Sequence, residues 1–202
     1  MTSAEPRTTP GRWTGDEDLV GRSQRGDAKA FRILYDRHSP AVHAVATRVL
    51  EDRRDAEEAT QDTFVSAWRH LGRFRGDSAL STWLHRICLN RCTSILRRRR
   101  PPEVALDRVE GRPDRRPGPS EVVALRHEVG EVGSALARVP EAARIALVLR
   151  EVAQLSYGEV ADVLGITLTA ARSRIHRGRT ALLDELGRRA DDPPDQEARR
   201  GA

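Results

Sequence analysis

The sequence predicts an all-α protein built as two small helical domains joined by a flexible linker. Three observations point there. Apolar residues recur at three- and four-residue spacings through both halves of the chain, and no alternation of period two lasts long enough for a strand. The stretch 101–120, PPEVALDRVEGRPDRRPGPS, carries five prolines and two glycines, a density that no helix survives. Over 202 residues, 38% are hydrophobic and 32% charged, the balance of small domains with much surface. The predicted organisation is a disordered tail at 1–15, a first domain at 16–100, the linker at 101–120, a second domain at 121–189 and a second disordered tail at 190–202.

In the first domain, Phe31, Leu34, Tyr35 and His38 share a helical face. Ser39-Pro40 offers an N-cap and first-turn proline for a new helix continuing through Val42, Val45, Ala46 and Val49. The next segment, DAEEATQDTFVSAWRHL, has capping-box spacing at Asp55 and Glu58, with Phe64, Ala67, Trp68 and Leu71 as its apolar face. After the loop RFRGDS comes a helix bearing Leu80, Trp83, Leu84, Ile87, Cys88, Ile95 and Leu96. The second domain opens with Val122, Leu125, Val129, Val132 and Leu136, followed by Pro140 as a first-turn proline and a helix over 141–152. Ser156 and Glu159 form a capping box for a short helix that Gly165 ends, and Thr167 caps the last helix, striped with Leu168, Ala171, Ile175, Leu182 and Leu186.

Composition narrows the function. The formal net charge is +5, and Lys29 is the single lysine, so almost all the positive charge is guanidinium, which forks onto phosphates and guanine edges. No run approaches the ~18 apolar residues of a membrane span. Residues 1–15 lack the apolar core of a secretory signal, so direct membrane insertion is not expected and a cytoplasmic location is. Two cysteines, Cys88 and Cys92, are too few for a disulfide scaffold or a four-thiolate zinc site, and their i, i+4 placement suits small buried hydrophobes. The histidines have no metal spacing, and no phosphate loop, nucleophile set or paired-carboxylate pocket stands out. No enzyme activity, cofactor, metal or small-molecule substrate is expected.

Three features carry function. Tyr157 to Arg179 has helix, glycine turn and helix in the arrangement of a helix-turn-helix, with small Ala161 and Gly165 where two helices cross. Its second helix carries Arg172, Ser173, Arg174, His176, Arg177 and Arg179 away from the apolar stripe, a face suited to the major groove. Charge is also segregated in the first domain: residues 51–62 sum to −4, while 69–100 sum to +8. Asp55, Glu58 and Asp62 fall on one helical face with Gln61 beside them, a row that repels DNA and suits a basic protein partner, or else a solubilising face. Finally, Trp83 follows a Gly/Ser-bearing loop beside a basic helix, where it either joins the core or stacks on an unpaired base, and the Arg97–Arg100 run suits phosphate.

Taken in order over roughly 16–189, these motifs resemble the two-domain bacterial sigma factors of the extracytoplasmic-function group. DAEEATQDTFVSAW resembles the family's core-polymerase-binding segment. FRGDSALSTWLHRICLNRCTSILRRRR resembles its −10 recognition and melting segment, and RVPEAARIALVLREVAQLSYGEVADVLGITLTAARSRIHRGRTAL its −35-binding segment. The first domain would be sigma region 2 and the second sigma region 4. The resemblance implies that Asp55, Glu58, Gln61, Asp62 and Phe64 dock onto the clamp helices of core RNA polymerase. For the −10 element it implies the loop residues Phe74, Arg75, Gly76, Asp77, Ser78 and Ser81, and on the helix Trp83, Arg86, Asn90, Arg97 and Arg98, around a flipped base. For the −35 element it implies Arg172, Ser173, Arg174, His176, Arg177 and Arg179. The linker would thread into the polymerase near the RNA path, and an anti-sigma factor is a further implied partner beside promoter DNA.

Two positions depart from the family pattern. Ser94 stands where an Asp is frequent, and Ala170-Ala171 where Thr-Val is common, removing apolar volume from the helix pair. A stand-alone DNA-binding regulator is the competing class, one that would need a dimer and a symmetric operator and would have no use for the acidic row. A recombinase or nuclease would need a nucleophile or carboxylate cluster beside a basic groove.

Overall fold

The computed structural model describes residues 16–99, 130 and 132–190, and among them every regular element is helical. The predicted linker, the stripe at Val122, Leu125 and Val129, and nearly all of both tails lie outside the described residues. The first domain comprises α1 (Glu17–Gln24), α2 (Ala28–Leu50), α3 (Arg53–His70), a 3-10 turn (Leu71–Arg73) and α4 (Leu80–Arg99). The second has helical residues at 132–136, then α5 (Glu141–Glu151), α6 (Tyr157–Leu164) and α7 (Leu168–Ala190).

Local chemistry sets the helix ends. The Asp27 carboxylate accepts the N–H groups of Lys29 (2.9 Å) and Ala30 (3.1 Å) at the start of α2, and also two bonds from Arg22. The Ala30 bond, then Arg22, hold this carboxyl below its ordinary range. One side chain thus fixes the α1–α2 corner. At α6, Ser156 and Glu159 form the predicted capping box, and Gly165 ends the helix at φ 63°. Thr167 accepts the Ala170 N–H at 3.2 Å, as expected of a cap.

Three predicted boundaries are corrected. Ser39-Pro40 starts no helix, because α2 runs through it from Ala28 to Leu50. An interior proline costs about 3 kcal/mol, but Leu34, Val42, Val45 and Val49 are each at most 2% exposed along the same helix. Burying such a side chain yields roughly 1.5–3 kcal/mol apiece, so the stripe outweighs the proline. The third helix begins at Arg53, capped by Asp52, which accepts the Asp55 N–H at 2.9 Å. Asp55 is therefore inside the helix and is not its cap. Pro140 stands one place outside α5, as its N-cap residue.

The core of the first domain lies between α2, α3 and α4, where Val45, Ala46, Ala59, Ala67, Cys88 and Cys92 are wholly buried. Trp68, predicted on the apolar face of α3, is 41% exposed and lays its ring against Phe31 at 4.9 Å. In the second domain α5 packs on both α6 and α7. Gly178 makes the α5–α7 approach possible, since a Cβ there would stand 2.8 Å from the Ala143 carbonyl oxygen. Ala161 is buried as the close crossing requires, yet around Gly165 there is open space, so that glycine serves its left-handed conformation and not proximity. Leu168, predicted in the α7 stripe, is 42% exposed.

Candidate nucleic-acid interface

The two domains pack on each other, α2 against α5 and α4 against α6. The first domain's contribution to the candidate interface is built on α4. One side of this helix is apolar and buried through Leu84, Cys88, Cys92 and Ile95, which leaves Arg86, Asn90, Arg97 and Arg98 exposed on the other. Ser94 is exposed beside them, and its hydroxyl donates to the Asn90 carbonyl at 2.8 Å. The loop before α4 turns at Gly76, φ 78°, with Arg75, Gly76 and Asp77 exposed and Phe74, Ser78 and Ser81 half-buried.

Gln24 anchors that loop, and nothing in the local sequence announces it. Its side-chain amide donates to the carbonyls of Leu71 (3.1 Å) and Phe74 (2.9 Å), nearly fifty residues away. Phe74 in turn packs on Trp83 with ring centroids 5.2 Å apart. Trp83 is half-buried, between the core and stacking alternatives. His85 is buried one turn after Ser81; its Nδ1 donates to the Ser81 carbonyl (2.7 Å) and its Nε2 has no protein partner. Burial is the largest influence on this imidazole and lowers its pKa.

The acidic row lies along α3 with Glu58 and Gln61 exposed and Asp55 and Asp62 half-buried. Phe64 does not join it on the surface. At 4% exposure, packed edge-on against Tyr35 at 4.8 Å, its ring belongs to the core, so the expectation that it meets a partner directly is corrected. The basic end of α4 comes back onto the acidic row: Arg99 pairs with Asp55 and, at 3.6 Å, with Asp52, while Arg98 comes within 3.9 Å of Glu58. The opposite charges that the sequence separates therefore share one rim. Arg98 and Glu58 are 70% and 57% exposed, so their pairing is screened and easily exchanged for a partner's charge.

The second domain presents α7. Arg172, Ser173, His176, Arg177 and Arg179 are exposed, whereas Arg174 is half-buried. Ala171 and Ile175, on the opposite side, are 0% and 1% exposed and fix the helix on α5 and α6. Tyr157 draws both the Arg150 and Arg172 guanidinia over its ring, at 5.0 and 6.0 Å. Arg179 is held by Glu151 at 2.6 and 3.1 Å, and this bond keeps the guanidinium firmly charged. Glu151 and Tyr157 were not legible as site residues, because each acts across an interhelical contact. Cys88 and Cys92 are both fully buried with sulfurs 3.9 Å apart; their mutual contact and burial push the Cys92 thiol up, which suppresses thiolate chemistry. Among the described residues no helix is long and apolar enough to cross a membrane, and no group of His, Cys, Asp and Glu gathers as a metal site.

An acidic helix beside a basic one, followed by a helix-turn-helix with an arginine-bearing outer face, defines a DNA-reading protein with a second, protein-binding surface. The comparisons with known proteins give the family. Residues 34–101 match the model for sigma-70 region 2 and residues 130–182 that for sigma-70 region 4. The RNA polymerase sigma-H factor of Pseudomonas aeruginosa is 36% identical, covering 83% of this chain and 91% of its own. The ECF RNA polymerase sigma-E factor of Escherichia coli is 35% identical, with 83% and 92% covered. Among solved structures, CnrH in complex with the cytosolic domain of CnrY superposes with a TM-score of 0.66 at 29% identity, over 85% of this chain and 97% of that one. The sigma factor RpoE of Bartonella quintana, in complex with the anti-sigma factor NepR, gives 0.62 at 25% identity, over 79% and 98%. The chain belongs to the sigma-70 family, extracytoplasmic-function group: a transcription initiation factor that directs RNA polymerase to its promoters.

Proposed function

We propose that each face described above performs one task of promoter recognition. The carboxylates of α3, Asp55, Glu58 and Asp62 with Gln61, dock onto the clamp helices of the core polymerase. The loop from Phe74 to Ser81, with Trp83, Arg86, Asn90, Arg97 and Arg98 on α4, takes the −10 element and receives a base drawn out of the stack; the pocket's contacts offset the few kcal/mol of unstacking. Arg172, Ser173, His176 and Arg177 on α7 read the −35 element as duplex, and half-buried Arg174 supports the same face. The protein supplies no catalytic step of its own and requires no cofactor. An anti-sigma factor controls it, by analogy with the complexes of CnrH and RpoE.

The observation that carries this reading is the outward face of α7: Arg172, Ser173, His176 and Arg177 are all exposed on a helix whose other side is locked by Ala171, Ile175 and the Gly178 contact. A rigid helix with adjacent exposed guanidinia is what direct readout requires. Arg172→Ala or Arg177→Ala is expected to weaken binding to a −35 duplex by about 1–3 kcal/mol and to relax preference at the base pair that the residue reads. Undiminished affinity and preference in both variants would remove the −35 assignment.

A further inference from the structure

We propose that Glu151 and Tyr157 are positioning residues of the −35 face: Glu151 restrains the sequence-independent grip of α7 on DNA by holding Arg179, and Tyr157 aims Arg172 at the bases. The inference rests on the assignment of α7 to the −35 element. Both residues stand where another helix meets α7. Glu151 is the last residue of α5, and Tyr157 is the first of α6. Arg172 and Arg179 lie two helical turns apart on α7, about 10 Å along its axis. The two contacts therefore hold one edge of the helix at both ends.

Arg179 is engaged by a carboxylate. Its Nε and Nη2 both donate to Glu151 Oε1, at 3.1 and 2.6 Å, and Tyr157 stands close enough to help keep it charged. The two side chains are 47% and 48% exposed, so the pair contributes little to stability and stays open to exchange. Its consequence is for DNA. A phosphate approaching Arg179 must displace a carboxylate that also repels it, whereas a guanidinium without that neighbour meets any phosphate freely. Phosphate contacts strengthen binding to every sequence alike. Glu151 therefore lowers the affinity of α7 for DNA in general and leaves base contacts a larger share of the binding.

Arg172 is treated differently. Among the described residues it has no hydrogen bond or ion pair, and its partner is the Tyr157 ring, with the guanidinium carbon 6.0 Å from the centroid. This is the outer limit of cation–π attraction. Such a contact narrows the directions open to a long side chain and occupies none of its donors. Arg150 lies over the same ring at 5.0 Å, yet its Nη1 is tied to the Leu155 carbonyl at 2.8 Å. Of two like charges at one ring, Arg172 is the one free to leave for an acceptor. The ring itself is firmly placed, because the Ser156–Glu159 capping box spans it and the preceding Leu155 is buried. An arginine already aimed before it meets DNA loses less freedom on reading a base.

The test uses the full chain, a duplex carrying a −35 element mapped with core polymerase, and a scrambled duplex of the same length. Fluorescence anisotropy over a range of salt gives the affinity for each. Glu151→Gln is expected to tighten binding to both duplexes by up to about fivefold at low salt. It is also expected to steepen the slope of log affinity against log salt by about 0.9, the increment of one phosphate contact. Tyr157→Leu is expected to weaken binding to the −35 duplex alone, by about two- to fivefold, while Tyr157→Phe, which keeps the ring, binds as the parent does. In the free chain, the ring current should shift the Arg172 side-chain protons in the parent and in Tyr157→Phe, and not in Tyr157→Leu. Unchanged or weaker binding with an unchanged slope in Glu151→Gln overturns the role of Glu151. Equal losses on both duplexes in Tyr157→Leu, a Tyr157→Phe variant no better than it, or absence of the proton shift from the parent overturns the role of Tyr157. If Arg172→Ala binds and discriminates as the parent does, the −35 reading itself falls. If it loses preference while the Glu151 and Tyr157 variants match the parent, only the roles of Glu151 and Tyr157 fall. Should Tyr157→Leu lose helical content by circular dichroism, Tyr157→Met is the second ring-free variant.

Discussion

Replacing Gly178 by alanine sets two effects of known size against each other. In a helix interior the change gains up to about 1 kcal/mol of propensity. At this position the new methyl carbon would lie 2.8 Å from the Ala143 carbonyl oxygen and 3.1 Å from Leu147 Cβ, well inside ordinary van der Waals contact. The nearest obstacle is backbone, which cannot rotate away, so α5 and α7 must separate. Overpacking of this kind costs about 1–3 kcal/mol, leaving Gly178→Ala less stable by up to about 2 kcal/mol after the full propensity gain. Gly187 is the internal control: it lies on the same helix, is exposed, and has nothing within 4 Å of its would-be Cβ. There the same substitution is expected to stabilise by a few tenths to about 1 kcal/mol. Urea unfolding followed by circular dichroism measures both. The expected order is Gly187→Ala, parent, Gly178→Ala from most to least stable, with weaker −35 binding in the last because α7 is tilted on its support. A Gly178→Ala midpoint at or above that of Gly187→Ala would refute the claim that close approach fixes this helix.

Other predictions follow from the same geometry. His85 is buried with a lowered pKa, so as pH falls through the ordinary value of 6.5 the unfolded chain binds a proton that the folded chain refuses, and stability declines. The slope it contributes is at most about 1.4 kcal/mol per pH unit, and His85→Asn should remove it from a series of unfolding curves below neutrality. Reversing Asp55 and Asp62 to Lys should abolish capture by purified core polymerase while leaving the helical content intact; retained capture would make the acidic row a solubilising face. Cys88 and Cys92 should resist a thiol reagent in the native protein and react only at the rate of unfolding, given their complete burial. Fast native-state labelling would contradict the packing of α4.

What the sequence revealed depended on the range of the interaction. The capping box of Ser156 and Glu159, the turn at Gly165 and the Thr167 cap are local bonds spanning three or four residues, and all were legible. Pro40 misled because its local signal for a helix start was overridden by the burial of Val42, Val45 and Val49 on a continuous helix. The basic face of α7 was visible from spacing, but the half-burial of Arg174 and the capture of Arg179 by Glu151 depend on how α7 lies against α5. Phe64 illustrates the limit of pattern matching, since a motif position does not say which way a ring points. Gln24, which secures the loop before α4, and the Thr82–Glu159 contact join segments about fifty and nearly eighty residues apart, and no periodicity encodes them.

The most direct measurement is run-off transcription from sheared genomic DNA with purified core RNA polymerase, with and without this protein, reading the 5′ ends of the products. Discrete new start sites are expected, sharing two upstream elements about one and a half to two helical turns apart, one for each domain. Absence of new starts, together with sequence-specific binding of the protein alone to a symmetric site, would contradict promoter recognition and establish a stand-alone regulator.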